Sequence, residues 1–234
     1  MDLKHGKALI TGGSSGIGYA TAQLLRDRGA DIAICGRKAD AVEQAAAELG
    51  ALGIVADVSH EDDVIRMVER VIKELGGYNI LINNAGFGTW DKLVDIKADD
   101  FRRVWETNVF GAMLVARESA RYFVKQNTGN IVNISSTSGK KASPGSSTYA
   151  ATKFAVNGLT EAWRGELRKN NIRVMQVNPS EVQTNFFVSS GSARSTNPSK
   201  LLGEDIACII CDMLEMHDRA MVTEATVFAT NPLD

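Results

Sequence analysis

"KALITGGSSGIGYATAQLLRDRGADIAICGRK", residues 7–38, decides the fold. Two short runs rich in β-branched and apolar residues, 7–11 and 31–35, flank a segment with helical periodicity over 16–28. A strand, a helix and a second strand spaced in this way form a right-handed crossover, which makes the two strands parallel. The same alternation continues outward, with strand-like runs at 52–56, 79–83, 130–135, 172–178 and 220–228. Helical segments at 39–49, 60–75, 99–126, 148–169 and 204–215 separate them. Continuous apolar runs are what strands covered on both faces look like. The expectation is an α/β, doubly wound, mostly parallel sheet of seven strands with helices on both faces. Ser59 followed by Asp62 reads as a capping-box-like start to the third helix.

The 234 residues are 44% hydrophobic and 23% charged, enough for one large core, and no Pro/Gly/Ser linker divides them. Residues 1–234 are therefore expected to form one domain. A net charge of −2 with no long block of either sign argues against nucleic acid or an anionic membrane as partner. No stretch approaches the roughly 18 apolar residues of a membrane span, and a cytoplasmic location is expected. Cys208 and Cys211 form a C-x-x-C within the apolar helix pattern "EDIACIICDMLEM". They read as sharing its buried stripe, and no metal site is expected. The irregular stretch "NFFVSSGSARSTNPSK", 185–200, is too long for an ordinary loop and is a candidate lid.

In an open parallel sheet, ligands bind at the carboxyl ends of the strands. After the first run comes "TGGSSGIG", Thr11 to Gly18. Gly12, Gly16 and Gly18 suit a tight turn, close approach of backbone to a pyrophosphate, and close helix packing. Ser14, Ser15 and Ile17 complete this turn, and the helix that follows points its N-terminal N–H groups at the phosphates. A dinucleotide fits here. Where an acid would hold the ribose 2′-hydroxyl of NAD, the second strand ends in "ICGRK", with Arg37 at that place. An arginine binds a 2′-phosphate through charge-assisted hydrogen bonds, so NADP(H) is favoured over NAD(H). Asp57, with Val58 beside it, either accepts from the adenine amino group or caps the next helix.

Further motifs follow in order: "NNAG" 83–86, Asn108, "NISS" 133–136, "YAATK" 149–153 and "NPSEVQT" 178–184. Together with the glycine turn they resemble the classical short-chain dehydrogenases/reductases over nearly the whole chain. In length and motif order the resemblance is greatest to the 3-oxoacyl-[acyl-carrier-protein] reductases. It implies a catalytic set of Asn108, Ser136, Tyr149 and Lys153. It also implies a cofactor floor from Asn83, Asn84, Ala85 and Gly86, with Pro179, Val182 and Thr184 at the nicotinamide end. Lys153 would grip the nicotinamide ribose, and Asn108 would hold a water linking Lys153 to solvent. Two features depart from the family pattern. Ser180 stands where glycine is usual, which puts the backbone beside the nicotinamide in question. The chain end "TEATVFATNPLD" lacks the glycine-rich finish of tetrameric members, so the resemblance leaves homodimer and homotetramer open, with dimerisation through helices 99–126 and 148–169.

Physical chemistry accounts for the same set. Tyr149 and Lys153 are i and i+4, so they share a helix face. A free phenol titrates near pH 10; an ammonium roughly 5 Å away at an effective dielectric of about 20 favours phenolate by about 3 kcal/mol. Such a pair tunes a proton donor. Ser136 can hydrogen-bond a substrate carbonyl and stabilise the charge that grows there. Ser135, Thr137 and Ser138 read as turn formers.

The implied reaction is hydride transfer between nicotinamide and a ketone or alcohol. A 3-oxoacyl thioester is one candidate, and carrier-bound forms would meet the basic residues Arg117, Arg121, Lys125, Arg164, Arg168 and Lys169. Phe87 and Trp90, with Phe186, Phe187 and Val188 of the irregular stretch, could shelter an apolar portion. Reduction of pteridine side-chain or sugar carbonyls, and NADP(H) sensing without chemistry, are the alternatives.

Overall fold

The computed structural model describes residues 1–184, 197 and 199–231. The candidate lid therefore lies, for 185–196 and 198, outside the described residues, as do Phe186, Phe187 and Val188.

Seven strands form one sheet: β1 Lys7–Thr11, β2 Asp31–Gly36, β3 Leu52–Val55, β4 Ile80–Asn83, β5 Gly129–Ile134, β6 Ile172–Pro179 and β7 Glu224–Val227. Their order is β3-β2-β1-β4-β5-β6-β7. Every pairing is parallel, so the sheet is wholly rather than mostly parallel. The helices are α1 Gly16–Asp27, α2 Ala39–Leu49, α3 Glu61–Leu75, α4 Ala98–Trp105, α5 Ala112–Gln126, α6 Ser147–Leu167 and α7 Gly203–Glu215.

Strand alternation divides the core into two layers. Ile10, Ile34, Ile82, Val132 and Met175 face Leu25, Leu49, Ile206 and Ile210 of α1, α2 and α7. Leu9, Ala33, Leu81, Ile131 and Val174 face Val64, Val68, Leu114 and Phe123 of α3 and α5. Each fully buried Leu, Ile, Val or Phe contributes about 1.5–3 kcal/mol, which is why the central strands read as unbroken apolar runs. β5 and β6 are buried along their whole length, while β7 at the sheet edge alternates exposed and half-buried residues.

The strand order reverses between β1 and β4, so the glycine turn after β1 and the Asn83–Gly86 turn after β4 leave the sheet side by side. Thr11 ties them: its hydroxyl accepts from the backbone N–H groups of Asn84 and Ala85, both at 2.9 Å. The Asn84 side chain donates back to the Thr11 carbonyl at 2.9 Å.

Several local expectations are corrected. The last strand is 224–227 rather than 220–228. The expected long helix 99–126 is interrupted by a π-helical stretch, Glu106–Gly111, between α4 and α5. Asn108 sits inside it, and its poor helix propensity and side-chain bonds to a neighbouring loop explain why the ladder loosens there. Ser59 does not cap α3: the N-cap is His60, with no side-chain cap bond. The Ser59 hydroxyl turns back to donate to Asp57 at 2.7 Å, a stronger partner because it is ionised. Cys211 is buried, but Cys208 is exposed, so the two do not share the buried stripe. Three residues advance a helix by less than a full turn, and here that carries Cys208 over the edge of the apolar face.

Candidate active site

At the carboxyl ends of the strands lies a cavity of ≈ 1070 Å³. Its walls come from the glycine turn, the ends of β2 and β3, the Asn83–Gly86 turn, Ser136, α6 and the segment after β6.

The glycines act for separate reasons. Gly12 and Gly16 take positive φ of 64° and 56°, the left-handed region where a Cβ is penalised. Gly18 has an ordinary helical backbone, but a Cβ there would stand 2.3 Å from the Gly12 carbonyl oxygen and 2.6 Å from the Asn84 side chain. Backbone thus lines this end of the cavity, a cradle that suits a pyrophosphate facing the N-terminus of α1. Ser14, Ser15, Ile17, Arg37, Asp57, Val58, Ala85 and Gly86 all border the cavity, and Thr184 packs against Gly16. The nucleotide-binding residues expected from sequence are therefore gathered in one place.

Asp57 stands at the cavity but does not cap α3, whose N-cap is His60. It accepts from the Ser59 N–H at 3.0 Å in the turn leading to α3. Burial opposes its ionisation, but the Ser59 bonds and the charges of Arg37 and His60 outweigh this and hold its carboxyl below the usual range.

At the other end, Ser136, two residues past β5, caps a short 3-10 turn, Thr137–Gly139, accepting from the Ser138 N–H at 3.1 Å. Thr137 and Ser138 are turn residues, as expected. Ser135 differs: its hydroxyl reaches α6, donating to Asn157 Oδ1 at 2.5 Å, and so locks β5 to the helix that carries Tyr149 and Lys153. Tyr149 and Lys153 are both buried at the cavity wall, with Lys153 Nζ 5.5 Å from the tyrosine ring centre. Nζ donates to the Ile134 carbonyl at 2.8 Å.

The electrostatics differ from the sequence expectation. Burial pushes Tyr149 up to about 12, and a hydrogen bond with Ser136 only partly opposes it. Burial likewise pushes Lys153 down to about 8. The ammonium is aimed at the Ile134 carbonyl, and desolvation dominates at the phenol. Tyr149 thus holds its proton at neutral pH.

Asn108 is engaged on both sides of its carboxamide. Oδ1 accepts from the Phe87 N–H at 3.0 Å, while Nδ2 donates to the Phe87 carbonyl at 2.8 Å and to Thr152 at 3.1 Å. It fixes the loop after Gly86 against α6. Asn83 lies deeper, donating to Ala112 and Asn133 as a support rather than a lining residue.

After β6, Ser180 donates its N–H to the Val227 carbonyl at 2.8 Å. Among the described non-glycine residues only Asn127 and Asn171 have positive φ, so serine sits here without backbone strain. Val182 pairs with Leu201 in a parallel bridge, and Pro179 borders the cavity.

Sequence reasoning missed Thr107 and Glu181 as lining residues. Each adjoins a residue that it did single out, Asn108 and Val182, but only the folded chain shows which neighbour faces inward. Trp90, expected to shelter substrate, lies against Tyr149, its ring centre 5.7 Å away.

A glycine-lined dinucleotide cleft at the switch point, joined to a buried Ser–Tyr–Lys group, defines a nicotinamide-dependent oxidoreductase. Residues 6–195 match the short chain dehydrogenase family, and the chain belongs to that family. Among its relatives, an NADP-dependent 3-hydroxy acid dehydrogenase of Schizosaccharomyces pombe is 34% identical over 99% of this chain and 95% of that protein. A 3-oxoacyl-[acyl-carrier-protein] reductase of Bos taurus is 37% identical over 76% of each. Among solved structures, 3-ketoacyl-(acyl-carrier-protein) reductase from Brucella melitensis complexed with NADH superposes with a TM-score of 0.91. It is 29% identical and covers 99% of this chain and 100% of that one. Among the described residues no helix is long and apolar enough to cross a membrane.

Proposed function

We propose that this protein is an NADP(H)-dependent carbonyl reductase that interconverts a ketone and a secondary alcohol, with a 3-oxoacyl or 3-hydroxyacyl compound as its substrate class. The observation that carries the reading is the convergence of Ser136, Tyr149 and Lys153 on one cavity wall beside the glycine cradle.

When bound, the nicotinamide supplies or takes up the hydride. The chain handles orientation and the proton. In reduction, the Ser136 hydroxyl donates to the substrate oxygen and stabilises the charge that develops there. Tyr149, protonated well past neutrality, gives that oxygen its phenolic proton. The ammonium of Lys153 stands close enough to ease the phenolate left behind. In the cavity mouth, Arg37 offers the charge for a 2′-phosphate.

The names of two relatives both concern an oxygen at C3 of an acyl or acid chain, which supports this substrate class over pteridine or sugar carbonyls. Carrier attachment is less favoured. Arg117 pairs with Glu61 and Glu118, and Arg121 with Glu118. Arg164 is spent on the carbonyls of Val174 and Thr223, both at 2.9 Å. Much of the expected basic surface is therefore already engaged, and a free substrate is the better fit. Titration with NADPH and NADH, followed by NADPH oxidation against acetoacetyl thioesters, 3-oxo acids, sugars and pteridines, tests this. Preferred NADPH binding and turnover of the 3-oxo compounds is the expected result. Tight NADPH binding without turnover on any ketone would instead favour a sensor.

The same reading includes a homodimer. Phe101 and Trp105 stack on α4 while remaining 37% and 39% exposed, and Phe110 and Phe154 are 42% and 48% exposed on the adjoining helices. Large aromatic groups left to water on neighbouring helices mark an interface. Light scattering is expected to give the mass of a dimer, reduced to that of a monomer in Trp105→Glu. A wild-type monomer at micromolar concentration would refute this assembly.

A further inference from the structure

Phe87 follows the Asn83–Gly86 turn, and its backbone is held on both sides by Asn108. Its ring borders the cavity and carries two guanidinium groups. Arg37 Cζ lies 5.7 Å from the ring centre and Arg103 Cζ 5.8 Å from it, both within cation–π range. The two cations come from the end of β2 and from α4, far apart in sequence. Arg37 and Phe87 border the cavity, and Arg103 reaches it through the Phe87 ring.

We propose that Arg103 is a further cation of the cofactor's 2′-phosphate site, joined to Arg37 through the Phe87 ring. This rests on the NADP(H) reading above. A 2′-phosphate carries a charge near −2; Arg37 and Lys38 border the cavity at this end, and Arg103 adds a third positive charge through the Phe87 ring. The guanidinium carbons lie 5.7 and 5.8 Å from the one ring centre, so an anion bound at Arg37 stands about a Debye length, 8–10 Å at physiological ionic strength, from Arg103 and feels a screened attraction to it. The aromatic shelf also lowers the cost of ordering two long side chains, because each is already stacked before the nucleotide arrives. Asp100 pairs with Arg103 at 3.5 Å and tempers its charge. Arg103 is 65% exposed at its side chain, so its replacement leaves the core intact.

The test is fluorescence titration of the full chain with NADPH and NADH. Arg103→Gln is expected to weaken NADPH binding about 3- to 10-fold and to leave NADH within about 2-fold of wild type. Asp100→Asn should act in the opposite direction, tightening NADPH and not NADH. The Arg103→Gln loss should shrink when NaCl is raised to about 0.5 M, where charges at this separation are screened. Equal losses for both cofactors, or no loss for either, would overturn the assignment. Arg37→Ala keeps the two readings apart. If wild type prefers NADPH and Arg37→Ala removes the preference while Arg103→Gln does not, the role of Arg103 fails alone. If wild type shows no preference, the NADP(H) reading fails and takes this inference with it.

Discussion

Tyr149→Phe is expected to lower turnover by about 10²–10⁴-fold while leaving NADPH affinity near that of wild type. The substitution removes one hydroxyl and keeps the ring, so the contact with Trp90, 5.7 Å between ring centres, survives. What disappears is the only phenolic proton at the cavity wall among the described residues, a proton that burial holds up to about 12. Ser136 would still orient the substrate oxygen but could not neutralise it. Single-turnover oxidation of NADPH separates this chemical defect from binding. Turnover equal to wild type would remove Tyr149 from the proton-donor role.

Lys153→Met is expected to cost about 10²-fold or more in kcat/KM for reduction and to erase a pH dependence that wild type shows. Methionine fills nearly the same buried volume without the charge or the bond to the Ile134 carbonyl, at 2.8 Å. In the chain as folded, burial lowers Lys153 to about 8. The ammonium is therefore present at neutral pH and lost as pH rises through about 8, so reduction should decline above that value. Tyr149, raised to about 12, stays protonated across the same range and contributes no limb there. A wild-type profile flat to pH 10, or the same limb persisting in Lys153→Met, would contradict the assignment to Lys153. Stability has the opposite slope in that interval. The unfolded lysine keeps its proton to about pH 10.4, so the unfolded chain binds more protons between the two values and stability rises with pH there.

Much of the architecture was legible in short stretches. The glycine turn, the alternating runs and the order of "NNAG", Ser136, Tyr149 and Lys153 lie within windows where chain geometry is set by neighbours a few residues apart. The βαβ alternation determined parallel strands, and the i, i+4 spacing determined that the phenol and ammonium would share a face. Other features depend on what the fold brings next to a residue. Ser59 lost its expected capping role to the ionised Asp57, two residues back. Asn108 opened a π-helical stretch because the loop at Phe87 and Thr152 of α6 claim its carboxamide.

The sequence by itself determined the strand and helix alternation, the glycine cradle and the placing of Tyr149 and Lys153 on one helix face, since these rest on local spacing and residue chemistry. Only the tertiary structure decided that Tyr149 is raised rather than lowered, that Cys208 faces solvent, and that Arg37 and Arg103 both pack on the Phe87 ring. Desolvation and exposure are sums over every atom that surrounds a group, and most of those atoms come from distant parts of the chain.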